Sequence, residues 1–269
     1  MVCPSPGDFN EASLRRYIRR VLVPPLVDLQ LELSSDLAFR RAARLLLERN
    51  FPRKFGIRAI LKDPVGLFAA PWLVREFNMI GVVLVRHPAA YVVSLIKDSS
   101  HIHSFSKVFI EQPNLMEKFS AETSELIECV SKKQNDFKVG YDPVEEGSVF
   151  WRCFYEFALI FCETEKGFSF VFYESLAFDP LREFERLCGN LNIEFSSDVV
   201  DEIRKTALVK DKHRQSLDTH VKAYDSIKNI GSWKNVLTGE QSRRVREITE
   251  PVVQRVGPWP SDIADFVNL

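Results

Sequence analysis

The sequence predicts a helix-rich α/β protein with a small parallel sheet. Three short apolar runs, residues 58–62, 81–85 and 168–173, are predicted to be strands, and the first two have the uninterrupted hydrophobic character of parallel strands that are buried on both faces. Longer segments with helical periodicity separate these runs. Alternating strands and helices are the pattern of α/β folds, and 269 residues are enough to bury a substantial core. We expect residues 1–269 to form a single domain.

The composition is typical of a globular chain. Hydrophobic residues make up 45% and charged residues 27%, and the net charge of -1 provides no general field for nucleic acid or an anionic membrane. The five cysteines form no CxxC pair and no Cys/His metal spacing, and their odd number fits reduced thiols. No apolar run approaches the roughly 18 residues of a membrane span, and no signal-peptide pattern is present. We therefore expect a cytoplasmic protein without a metal site.

The first part of the chain alternates helical patterns with strand patterns. Apolar residues at helical spacing predict a helix over residues 10–23 that Pro24 ends, and a serine cap predicts another helix over 36–48. An apolar run over residues 58–62 predicts a strand, and a further helix leads from it into the strand at 81–85. Strand, helix and strand in this order form a βαβ unit, so these two strands should be parallel neighbours.

The remainder of the chain is predicted to be mostly helical. Pro88 opens a helix directly after the strand, because proline is favoured at the first helical position. The other predicted elements are long helices at 114–134 and 144–166 with a polar loop over 135–143, a strand at 168–173, and helices at 181–191, 197–208 and 238–256. The capping box Thr238-x-x-Gln241 marks the start of the last helix.

Arg86 stands at the carboxyl end of the strand at 81–85, which is where open α/β sheets bind ligands. Pro88 places a helix N-terminus beside it, and the free N–H groups of that turn favour an anion. Ser94 lies roughly 9 Å along the helix from Pro88, at about 1.5 Å per residue. An arginine fork and a serine hydroxyl can grip one phosphate from two sides. The alternative is an arginine that pairs with a nearby carboxylate and a serine that only packs.

Lys62 occupies the matching position at the end of the preceding predicted strand. It would therefore lie beside Arg86, and two neighbouring cations are costly unless an anion lies between them. This arrangement favours a phosphate or sulfate site. The alternative is that Asp63 neutralises Lys62 while it caps its own helix.

The strand at 168–173 ends in Tyr173, and Glu174 follows it. Glu174 is placed to pair with Arg86 or with Lys62. Tyr173 offers a ring for stacking and a hydroxyl, although a buried structural tyrosine is the commoner case. These residues extend the candidate site to a further strand end.

Two other features leave their alternatives open. His87 is either a base beside Arg86 or part of a helix cap. The polar loop over residues 225–234, which contains Lys228, either closes over a ligand or connects two helices.

Four segments in fixed order resemble the bacterial-type members of the sulfotransferase family, which uses 3'-phosphoadenosine 5'-phosphosulfate (PAPS). The resemblance covers about residues 55–257. The segments are KDP at 62–64 with LF at 67–68, PWL at 71–73 and Phe77; VVLVRHPAA at 82–90 with Ser94; YESL at 173–176 with DP at 179–180; and GSWK at 231–234 with LT at 237–238 and Gln241.

The resemblance implies a P-loop NTPase-like fold and transfer of a sulfuryl group from PAPS, without metal, to a hydroxyl or amine. The acceptor would be a small molecule or a glycan. Arg86 and Ser94 match the arginine and serine that hold the 3'-phosphate, and Tyr173 matches the tyrosine near the adenine. Lys62 would lie close to the sulfuryl group, and Lys228 would reach the 3'-phosphate.

The sequence also departs from the family pattern. Family members begin with a strand and a P-loop-like turn rich in Gly, Ser and Thr, and no such segment precedes Lys62 here. The base histidine of the animal cytosolic members aligns with Pro64, so Asp63 and His87 are the nearest candidates for a base. We expect a fold that lacks the first strand and this turn, with weak or absent transferase activity. The alternative function is a non-catalytic, truncated or degenerate member that acts as a nucleotide-binding or interaction module.

Overall fold

The computed structural model describes residues 60–62, 66–97, 105–135, 142–164, 167–207 and 230–257. The two helices predicted before residue 50 lie outside these ranges. Contacts group the chain into two compact units, Met1–Trp72 and Leu73–Leu269. A single domain over residues 1–269 stays a prediction.

The described part of the chain is rich in helices, with a small sheet among them. In chain order its elements are a 3-10 turn (Gly66–Ala69), α1 (Ala70–Phe77), β1 (Gly81–Val85), α2 (Pro88–Lys97), α3 (Phe105–Ile110), α4 (Pro113–Met116), α5 (Ala121–Asn135), α6 (Pro143–Thr164), β2 (Phe168–Phe172), α7 (Tyr173–Phe178), α8 (Pro180–Asn190), α9 (Ser197–Ala207), a second 3-10 turn (Ser232–Asn235) and α10 (Gly239–Val256). The predicted helix-rich α/β class with a small parallel sheet is confirmed.

Strands β1 and β2 are parallel, and their register pairs Gly81 with Phe168 and Val85 with Phe172. A Cβ atom at Gly81 would lie 2.2 Å from the ring of Phe168, so the pairing depends on the absence of a side chain there. The predicted strand at 168–173 is one residue shorter in the structure, because Tyr173 is the first residue of α7. The carboxyl ends of both strands therefore lie side by side.

The strand predicted at 58–62 is wrong over Ile60–Lys62, which have no regular structure. Ile60 is 90% exposed, so the burial that stabilises a parallel strand is missing. Among the described residues the sheet contains β1 and β2 alone. The predicted βαβ unit therefore has no first strand over residues 60–62.

The long helix predicted over residues 114–134 is replaced by two helices. Helix α4 ends at Met116, and α5 begins at Ala121. Ser120 separates them, because its hydroxyl accepts a hydrogen bond from the Thr123 N–H at 3.3 Å and so caps α5. The predicted helices after residue 140 agree with the structure to within about two residues, the usual uncertainty of helix ends.

Helix α6 is the centre of the unit formed by residues 73–269, and it packs against α2, α5 and α10. Almost every side chain between Val144 and Phe161 is buried, which is typical of a helix surrounded by other elements. One apolar cluster joins α2 to the neighbouring elements: Ala89, Ala90, Val92, Val93, Val144, Trp233, Leu237 and Val245. None of the described helices is long and apolar enough to span a membrane.

A buried polar network ties α6 to α5 and α10. The Arg152 guanidinium, whose side chain is 2% exposed, donates from Nε to the Thr123 hydroxyl at 2.7 Å and from Nη1 to the Ile248 carbonyl at 3.0 Å. The Thr123 hydroxyl donates in turn to the Glu156 carboxylate. Since buried polar groups are costly without partners, this network fixes the relative positions of the three helices.

Candidate functional site

The parallel register brings the residues that follow the two strands together. Val85 pairs with Phe172, so Arg86 and Tyr173 are next to each other at the sheet edge. The Arg86 guanidinium carbon lies 5.0 Å from the centre of the Tyr173 ring, in the geometry of a cation–π contact. Helix α2 starts two residues after Arg86, and helix α7 starts at Tyr173 itself. The sequence placed each of these two residues at a strand end but did not predict the contact between them.

The backbone of Arg86 is held by two side chains of α6. The Trp151 indole N–H donates to the Arg86 carbonyl at 2.8 Å. The Tyr155 hydroxyl accepts from the Arg86 N–H at 3.3 Å and donates to the Leu84 carbonyl at 2.8 Å. These bonds fix the end of β1 through the Arg86 backbone and do not involve the Arg86 side chain.

The guanidinium of Arg86 has no carboxylate partner within ion-pair distance among the described residues. Its Nε atom is buried and lacks a hydrogen-bond acceptor in that part of the chain. An unpaired donor at a buried position is costly, and an anionic ligand would supply the missing acceptor. The predicted alternative, an ion pair between Arg86 and a nearby carboxylate, is therefore not formed among the described residues.

One prediction paired Glu174 with the Arg86 side chain, and the structure does not contain this ion pair. Its side chain is fully buried, and Oε1 accepts a hydrogen bond from the His87 N–H at 2.9 Å. The Oε2 atom has no hydrogen-bond partner among the described residues. Burial raises the pKa of Glu174 to about 7, although the His87 N–H, the Glu174 N–H and the charge of Arg86 each lower it.

His87 precedes α2 and is 1% exposed. Its imidazole stacks on the Trp233 indole with ring centres 4.9 Å apart and an interplanar angle of 12°. The His87 carbonyl accepts the first hydrogen bond of α2, from the Tyr91 N–H at 2.9 Å. The geometry thus supports the helix-cap interpretation of His87. It also brings the Gly-Ser-Trp-Lys segment against the start of α2.

Two further buried polar atoms lie near these strand ends. The Ser175 hydroxyl on α7 and the Trp233 indole N–H are both buried and have no hydrogen-bond partner in the described part of the chain. Buried polar atoms are normally satisfied, so such unpaired atoms require an explanation, for example a bound molecule.

The structure does not test the roles of the other predicted site residues. Ser94 is half-buried on α2, and no hydrogen bond joins it to Arg86 within the described ranges. Lys62 is exposed and belongs to the unit formed by residues 1–72. Asp63 and Lys228 lie outside the described residues. The roles assigned to these four residues stay predictions.

Sequence reasoning missed Trp151 and Tyr155. They are four residues apart on α6 and so project from one face of that helix. An indole N–H and a phenol hydroxyl on an otherwise apolar face are a signal for buried hydrogen bonds, because both groups normally find a partner when buried. That signal does not reveal the partner, which lies more than sixty positions earlier in the chain.

The described residues thus form a small parallel sheet with a cation and the N-terminus of a helix at its carboxyl edge, which is the edge where open α/β sheets bind ligands. The family model described as "Sulfotransferase domain" matches residues 72–257, which is more than half of the chain. The protein therefore belongs to the sulfotransferase domain family, as the motifs predicted.

Among solved structures, the "Sulfotransferase Domain from the Curacin Biosynthetic Pathway" is similar to this chain. The two share 15% sequence identity with a TM-score of 0.44, and the match covers 82% of this chain and 69% of the other. No curated protein matches the sequence.

Proposed function

We propose that this protein is a PAPS-dependent sulfotransferase in which Arg86 binds the 3'-phosphate of the nucleotide. The observation that carries the proposal is the Arg86 guanidinium, which lies over the Tyr173 ring and has a buried Nε without an acceptor among the described residues. Planar guanidinium groups bind phosphate through two parallel hydrogen bonds. The family to which the chain belongs supplies the class of ligand.

The residues at the sheet edge fit a phosphate-bearing nucleotide. Arg86 supplies charge, the first turn of α2 supplies N–H groups, and Ser94 supplies a hydroxyl on the same helix. Tyr173 offers an aromatic face and contacts the guanidinium through a cation–π interaction. Trp151 and Tyr155 keep the backbone of Arg86 in place, so the site is organised before the ligand arrives.

The nucleotide donor would supply the activated sulfuryl group. In the overall reaction the bond between sulfur and the phosphate oxygen breaks, a bond between sulfur and the acceptor oxygen or nitrogen forms, and the acceptor loses a proton. The described residues of the site bind and orient the donor. Lys62 as the cation that stabilises the transferring group is a proposal from the sequence alone.

The test measures by calorimetry how tightly 3'-phosphoadenosine 5'-phosphate binds to the full chain. Hydrogen bonds to charged groups contribute about 1.5–3 kcal/mol, so Arg86→Ala should weaken binding by roughly 10- to 150-fold. Adenosine 5'-phosphate, which has no 3'-phosphate, should bind both proteins equally. Arg243→Ala is the matched control, because Arg243 is an exposed arginine on α10 that pairs with Glu247 at 3.8 Å.

Each outcome of this experiment has a clear meaning. Equal affinity of the wild-type protein and the Arg86→Ala variant would show that the 3'-phosphate binds elsewhere. A wild-type protein that does not bind the bisphosphate would refute the proposed function as a whole. Binding without measurable sulfate transfer from PAPS would instead support the non-catalytic, nucleotide-binding alternative.

A further inference from the structure

Glu174 is an ionisable group built into the Arg86 site. It follows Tyr173, whose ring carries the Arg86 guanidinium, and its Oε1 accepts the N–H of the residue after Arg86. The carboxyl group is therefore attached to both strand ends, through the chain on one side and through a 2.9 Å hydrogen bond on the other.

The charge of this carboxyl is poorly compensated. Three groups interact with the Glu174 carboxyl: the Arg86 cation at the end of β1, the His87 N–H at the start of α2 and the neutral Tyr155 hydroxyl on α6. Within the described ranges no lysine or arginine comes within ion-pair distance of Glu174, and Oε2 accepts no hydrogen bond. Since burial outweighs these contacts, the pKa of Glu174 rises to about 7, so both protonation states are populated near neutrality.

We propose that Glu174 is a positioning residue whose carboxyl holds the Arg86–His87 segment and takes up a proton when an anion binds to Arg86. This inference rests on the proposed function, because it assigns a second role at the same phosphate site. Its physical basis is like-charge repulsion. A phosphate bound to Arg86 brings negative charge next to a buried carboxylate. In a medium of low dielectric the repulsion between two such charges is large, so protonation of the carboxylate is favoured.

The direction of the effect follows from linkage. As the pH falls below about 7, most Glu174 carboxyls are already protonated in the free protein, so binding requires little proton uptake. As the pH rises above about 7, most of the free protein holds the carboxylate, and binding must either take up a proton or accept the repulsion. Affinity should therefore fall as the pH rises above about 7, by up to tenfold per pH unit while a full proton is taken up.

Glu174→Gln separates this role from a merely structural one. The glutamine keeps a side-chain oxygen that can accept the His87 N–H, but it cannot ionise. The measured quantity is the ratio of wild-type to variant affinity for 3'-phosphoadenosine 5'-phosphate between pH 6.5 and 8.5, in which the ionisation of the ligand cancels. We expect this ratio to fall about five- to tenfold across the range. Glu185→Gln, at an exposed position on α8, should follow the wild-type curve.

Proton uptake by the wild-type protein gives an independent measurement that does not depend on how well any variant folds. Calorimetric titration at pH 8 in two buffers of different ionisation enthalpy should show roughly half a proton or more taken up per ligand. The phosphate is fully ionised at that pH, so the proton must go to the protein. Uptake near zero, or a wild-type to variant ratio that stays constant within about twofold, would overturn the role of Glu174 and leave the Arg86 site intact. Absence of binding at every pH would overturn both proposals.

Discussion

Replacing Arg152 by methionine should destabilise the protein severely. Arg152 lies on α6 with its side chain 2% exposed. It donates to the Thr123 hydroxyl at 2.7 Å and to the Ile248 carbonyl at 3.0 Å, and its Nε lies 3.8 Å from the Glu156 carboxylate. Methionine fills much of the same volume but has no donor, so the perturbation removes the hydrogen bonds and the charge while it preserves most of the packing.

The magnitude follows from what the substitution leaves behind. The Glu156 side chain is 6% exposed, and it would remain as a buried carboxylate without its nearest cation. Removing one partner of a buried ion pair costs about 3–5 kcal/mol, and a buried carbonyl that loses its donor adds about 1–3 kcal/mol. The Ile248 carbonyl is also an acceptor within α10, so we place the total near 4 kcal/mol, which corresponds to roughly 8–16 °C in Tm for a unit of this size.

Urea unfolding monitored by tryptophan fluorescence and far-UV circular dichroism measures this change. Glu122→Gln is the control, because Glu122 binds the same guanidinium at 2.9 Å but is 64% exposed, and an exposed pair contributes at most about 1 kcal/mol. Adding Glu156→Gln to Arg152→Met should recover part of the loss, since it removes the uncompensated charge. A loss below about 1 kcal/mol for Arg152→Met would refute the view that the network stabilises the helix assembly.

Two further predictions concern single hydrogen bonds. Trp151→Phe should lower the free energy of unfolding by about 1 kcal/mol more than Trp233→Phe does. The reason is that the Trp151 indole donates to the Arg86 carbonyl at 2.8 Å, whereas the Trp233 indole N–H has no partner among the described residues. Equal losses for the two variants in chemical denaturation would contradict this prediction. Thr238→Ala should lower the free energy of unfolding by about 1 kcal/mol through loss of the capping box with Gln241, and an unchanged urea midpoint would show that the start of α10 does not depend on the box.

The elements that the sequence predicts well are those whose signals are local. Five apolar residues after Asn78–Ile80 gave β1 with its correct bounds, and Pro88 marked the first residue of α2. Thr238 and Gln241 form the capping box that their spacing predicted, with both of its hydrogen bonds present. In each case the residues that determine the structure lie within a few positions of it, so their pattern can be recognised in one sequence.

The failures occur where distant partners decide the structure. Residues 60–62 have a strand-like composition, but a strand needs a neighbour and burial, and Ile60 has an exposed side chain. The interruption before α5 combines the local cap by the Ser120 hydroxyl with a long-range bond, in which the Ser120 N–H donates to the Glu156 carboxylate of α6 at 2.6 Å. That partner is 36 residues away, and no local pattern indicates it.

The candidate site shows the same division between local signals, which one sequence reveals, and long-range contacts, which it does not. Arg86 and Tyr173 were each predicted at a strand end, but their contact depends on the pairing of β1 with β2, which the sequence did not predict. The partner of Glu174 was predicted to be a side-chain cation, but the structure gives it the His87 N–H. Side-chain cations can be identified in a sequence, whereas a backbone N–H is available at almost every residue. Sequence reasoning therefore favours charged partners and overlooks backbone donors.

The site and the stability of the fold are connected through neighbouring residues of α6. Trp151 and Tyr155 hold the backbone at Arg86, and Arg152, between them in the chain, anchors the same helix to α5 and α10. The Arg86 side chain takes no part in this framework. Substitutions of that side chain should therefore remove ligand affinity while the fold persists, whereas substitutions in α6 should weaken both together. Because the two groups of residues lie on different elements, a comparison of binding and unfolding across them can separate the chemistry of the site from the scaffold that positions it.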